Sequence, residues 1–115
     1  MTYQDFKRLL MDAGEFTAMD AYIADVGGSV PPSVTDEQLI PLLTRCWDYA
    51  HKRDAATIRQ LSGLSRAAFA REYNLPIRTL ENWESTSPSA RSTPPYVLDL
   101  LAYAVINDSY CRDGA

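Results

Sequence analysis

Arg78 and Asn82 stand four positions apart in the stretch PIRTLENWE, residues 76–84, with Glu81 between them and Ile77 just ahead. A helix turning about 100° per residue puts Arg78, Glu81 and Asn82 on one side and Leu80, Trp83 and Glu84 on the other. The first side carries groups that read base-pair edges. A guanidinium makes bidentate hydrogen bonds to guanine and a carboxamide to adenine, each worth about 1–3 kcal/mol of discrimination, while Ile77 matches a thymine methyl. The second side is expected to pack, with Trp83 in the core rather than acting as a stacking platform. Covalent chemistry has no comparable set of residues. The chain has no phosphate-cradling glycine loop, no metal-spaced His and carboxylate set and no nucleophile motif, so neither an enzyme, a cofactor nor a metal is expected. The lone His51 reads as a surface or interhelix residue. Cys46 and Cys111, far apart in sequence, read as small reduced hydrophobes.

The elements that must hold this side in place are all helical. Apolar residues recur at helical spacing, and no alternating run bounded by hairpin turns is present, which predicts an all-α fold. Phe6, Leu9 and Leu10 stripe a first helix; Phe16, Met19, Tyr22, Ile23 and Val26 stripe a second that ends at Gly27 and Gly28. After the turn GGSVPPS, Thr35 and Gln38 form a capping-box pair. They open a helix that buries some of Leu39, Leu42, Leu43, Cys46, Trp47 and Tyr49, with Pro41 as its kink or first turn. Asp54 caps AATIRQLS, which stops at Gly63, and Ser65 caps the next two turns. Asn74 is placed where the chain must turn left-handed, and Pro76 starts the following helix with φ already set. A proline-punctuated loop, STSPSARSTPP, leads to a last helix with Leu98, Leu101, Ala102 and Val105 buried.

Two short helices around a tight turn, with packing helices on either side, resemble the helix-turn-helix domain of the lambda-repressor-like (XRE) family. GLSRAAFA stands where that family has GLSQxxFA, and LPIRTLENWE where it has VSxxTVxxWE; the resemblance spans about residues 54–106. It implies a major-groove reader in which Ile77, Arg78 and Asn82 contact bases. It also implies that Arg66, at the family's glutamine position, grips the DNA backbone together with Thr79, Arg71 and Arg91. Glu84 matches the acidic residue that pairs internally with an arginine, here Arg59, as a structural tie. The chain departs from the pattern at Pro76, which replaces a Ser or Thr cap, at Glu81, and in the longer loop after Glu84. Glu81 either accepts from a cytosine amino group or repels phosphate.

Charge is unevenly distributed. Residues 1–50 hold three Lys or Arg against eight Asp or Glu, a net −5; residues 51–91 hold seven against four, a net +3; the rest contribute −2, giving −4 overall. Local potential within about 8–10 Å governs attraction to phosphate, so a basic face works on an acidic protein. We divide the chain into an acidic helical extension, 1–50, serving dimerisation or partner binding, and a DNA-binding domain, 51–115. The expected function is a sequence-specific transcriptional regulator, a repressor, acting as a homodimer on double-stranded DNA. The alternative is an antitoxin-like protein-interaction module that binds its partner through residues 1–50. With no apolar run of membrane-spanning length and no secretion signal at the start, a cytoplasmic protein without membrane contact is expected.

Overall fold

The computed structural model describes residues 1–85 and 93–113, with side chains through Tyr110. Among these residues every regular element is helical: α1 (Tyr3–Ala13), α2 (Met19–Val26), α3 (Asp36–Lys52), α4 (Ala55–Ser62), α5 (Arg66–Glu72), α6 (Ile77–Glu84) and α7 (Pro95–Asp113), with a 3-10 turn at Gly27–Ser29. Local chemistry sets most boundaries. A reciprocal pair opens α1, with the Thr2 and Asp5 amides each donating at 3.1 Å to the other's side chain. The Thr35 amide donates to Gln38 Oε1 at 3.0 Å before α3, Thr57 to Asp54 Oδ1 at 2.7 Å in α4, and Ala68 to Ser65 Oγ at 3.2 Å in α5. Gly63 (φ 73°) and Asn74 (φ 54°) make the left-handed turns after α4 and α5.

Four details differ from the sequence reading. Phe16 precedes α2 rather than lying on it. Pro41 sits in the second turn of α3, where its carbonyl accepts from Arg45 Nη1 at 3.1 Å. Pro76 caps α6 from outside, and α7 continues well beyond Ile106.

The core runs without a break across residue 50. Phe6, Leu9, Leu10 and Ala13 of α1 lie against α3, and both α3 and α4 lie against α7; Tyr22, Leu42, Leu43, Tyr49, Ile58, Phe69, Leu80, Ala102, Val105 and Ile106 belong to the same cluster. The apolar stripe of the acidic segment is therefore buried within this chain. Polar ties reinforce the packing: Tyr22 donates to the Leu9 carbonyl at 3.0 Å, and Asp99 of α7 accepts from Tyr49 at 2.7 Å and from Arg53 Nη1 at 3.0 Å. Burial pushes the Cys46 thiol up to about 12 and raises the Tyr22 and Tyr49 hydroxyls as well. No helix among the described residues is long and apolar enough to cross a membrane.

Candidate functional site

The turn at Asn74 sends the chain from α5 into α6, and the Leu75 amide closes it by donating to the Ala70 carbonyl at 2.8 Å. Helix α6 rests on α4 and α5. Leu80 is fully buried, and the Glu84 side chain is only 2% exposed. A carboxylate so far from water needs charged partners. Arg59 of α4 supplies them, its Nε lying 2.9 Å and 3.1 Å from the two Glu84 oxygens, while its Nη1 donates to the Leu64 carbonyl at 3.3 Å. Arg66, at the first turn of α5, approaches the same carboxylate with Nε 3.4 Å from Oε1. One buried acid thus ties the end of α6 to α4 and to the start of α5. The Arg66 side chain is otherwise 55% exposed, so the residue assigned to the DNA backbone also leans on the internal pair.

The other side of α6 is open. Ile77 is 40% exposed, Arg78 and Glu81 are exposed, and Thr79 and Asn82 are half-buried. Arg78, Thr79, Asn82 and Trp83 together line an open cleft of ≈ 380 Å³. Among the described residues α1 packs on α2, α3 and α7, and neither α2 nor α3 packs substantially on α6. Arg71 is exposed in the last turn of α5 and is not among the described residues lining the cleft. Arg91 lies outside the described residues. Comparison with family models, curated proteins and solved structures gives no match.

Trp83 requires a correction. The sequence places it in the core with Leu80; instead it is half-buried, lines the cleft beside Asn82, and among the described residues is not one that packs on the core cluster. The spacing holds the signal: Arg78, Thr79, Asn82 and Trp83 are i, i+1, i+4 and i+5, a continuous strip on a helix, with Trp83 at the strip's edge rather than centred on the Leu80 side. The Arg66 contact with Glu84 is also absent from the sequence reading, which assigns Arg66 to the DNA backbone alone. His51 is exposed, its ring 4.0 Å from that of Trp47 between centroids.

Chemically, the strip offers a guanidinium, a hydroxyl, a carboxamide and an indole N–H. These suit a polar, anionic surface with edge acceptors. Among the described residues no group of three or more His, Cys, Asp or Glu could hold a metal ion.

Proposed function

We propose that this protein is a sequence-specific reader of double-stranded DNA on a lambda-repressor-like helix-turn-helix fold, and that it represses transcription by occupying its site. One observation carries the reading: the Arg78, Thr79 and Asn82 side of α6 is open while the opposite side is pinned by Leu80 and the Arg59–Glu84 pair. A rigidly held helix with an open polar side enters a major groove about 12 Å wide, where Arg78 addresses guanine, Asn82 adenine and Ile77 a thymine methyl. Arg66 and Thr79 flank these residues as backbone contacts, and Arg71 and Arg91 are assigned the same role. A homodimer on a two-fold site supplies the affinity that one short helix cannot. Because the α1 stripe is internal, we place the dimer surface elsewhere; Tyr96 and Leu100, exposed one turn apart on α7, suit it.

Selection of duplexes from a random pool, followed by titration at several salt concentrations, tests the reading. Tight, salt-sensitive binding is expected. Arg78→Ala should relax the preference at one base pair, and Arg66→Ala should weaken all sites alike and lower the salt slope by about one. A pool with no enriched sequence and no binding at low salt would overturn it. The residue set would then serve the antitoxin-like, protein-binding alternative.

A further inference from the structure

We infer that Trp83 is itself a DNA contact, its indole N–H donating to a phosphate oxygen while the ring covers the adjoining deoxyribose; this rests on the reading of α6 as the groove-entering helix. A helix with its side chains is about 10–12 Å across and the groove about 12 Å, so residues beside the reading row face the groove walls, which are sugar and phosphate. On α6 the reading row is Arg78 and Asn82. The adjoining flank, about 100° further round, is Thr79 and Trp83, and both line the open cleft with the row itself.

An indole suits a wall in two ways. Its N–H is a donor with no competing acceptor, and its ring covers apolar sugar carbons. A duplex keeps its bases stacked, so the ring meets sugar rather than slipping between bases. The fold also leaves Trp83 free for such a contact. Among the described residues it is the half-buried aromatic of α4–α6 that does not pack on the core cluster, whereas Tyr73 does.

The chain has two tryptophans, and the second, Trp47, packs on Tyr22 with ring centroids 5.7 Å apart. Trp47→Phe therefore leaves Trp83 as the sole emitter. Binding is followed independently by the anisotropy of a labelled selected duplex, and folding by circular dichroism. On saturation, Trp83 emission should shift and its quenching by acrylamide should be lost. In the otherwise unaltered chain, Trp83→Phe should weaken binding about 10- to 150-fold, the size of one hydrogen bond to a charged acceptor, equally for every sequence and without changing the salt slope, since an indole carries no charge. A duplex that binds while Trp83 stays as open to acrylamide as before would overturn this inference and leave the DNA-reading proposal standing. If no duplex bound at all, both would fall.

Discussion

Helices α1 and α6 separate apolar from polar residues equally strongly, yet they dispose of their polar sides differently. Helix α1 is closed on itself: Thr2 and Asp5 satisfy its first amides, and Phe6, Leu9, Leu10 and Ala13 vanish into the core. Helix α6 buries Leu80 and Glu84 and has no side-chain cap, because Pro76 stands where the oxygen of a Ser or Thr would accept from the first amides, and its outward strip opens into a cleft. Amphipathic pattern alone thus separates buried from exposed residues but not structural from recognition helices. What distinguishes them is chemistry at the ends and on the outer strip. On the proposed reading, the helix whose outer side carries grouped hydrogen-bonding heads over a buried tie serves a partner, and the self-capped one serves the fold.

Phe6→Ala should show the largest effect. The ring is fully buried and touches Tyr3 and Tyr103, so its removal is expected to cost about 3–5 kcal/mol in urea unfolding. If α1 were a loosely held arm kept for a partner, the loss would be a small fraction of that, and the contrast with α6 would fail.

Glu84→Ala probes the tie beneath the open strip. It leaves Arg59, 21% exposed, without its partner, and a cost of about 3 kcal/mol is expected. A double-mutant cycle sharpens the point. Coupling of Glu84 to Arg59 should be large, and coupling to the more exposed Arg66 should stay below about 1 kcal/mol. Equal couplings would mean that Arg66 is a second structural member, not a residue lent to the outside.

Alkaline pH acts on the α1–α3 side. Burial raises Cys46 to about 12 from its ordinary value of 9.0, and raises Tyr22 and Tyr49 above 10.0. Below about pH 9 these groups are protonated in both states. Above it the unfolded chain releases protons that the folded chain keeps, so stability should fall as pH climbs from about 9 towards 12. Urea midpoints measured from pH 8 to 11 should decline, and less steeply in Cys46→Ala. A flat profile would place the thiol and phenols in water.

Much of this is legible in the residues because it is local. Thr35 with Gln38, Asp54, Ser65, Gly63 and Asn74 act within three or four positions of themselves, and the structure puts each at the boundary its chemistry suggests. The capping pair Thr2 and Asp5 is equally local, and it emerges only from the structure. Trp83 departs from its expected place because helical spacing groups it with Leu80, while its angular position is intermediate between Leu80 and Thr79. The Tyr49–Asp99–Arg53 cluster is beyond reading from sequence, since it joins residues 46 and 50 positions apart through helix packing. The candidate site lies between these extremes: the strip is periodic and therefore visible, while the openness of the cleft depends on where α1–α3 settle.

Thr2→Ala should cost about 1 kcal/mol, the ordinary value of an N-cap, whereas Pro76→Ser, at backbone angles a Ser cap tolerates, should stabilise by a similar or smaller amount. Thermal midpoints of the two variants would therefore move in opposite directions. If Pro76→Ser were neutral, α6 would already satisfy its first amides some other way.

The smallest effect on stability belongs to Arg78→Ala. The side chain is exposed at the start of α6, and no buried group is left unpaired by its loss, so the unfolding free energy should move by less than about 0.5 kcal/mol. The same substitution is expected to remove about 1–3 kcal/mol of discrimination at one base pair. Phe6 and Arg78 then form opposite limits, one changing folding and the other only selectivity. A loss of stability in Arg78→Ala comparable to that in Phe6→Ala would show that the open strip of α6 is part of the fold, and the distinction between the two helices would no longer stand.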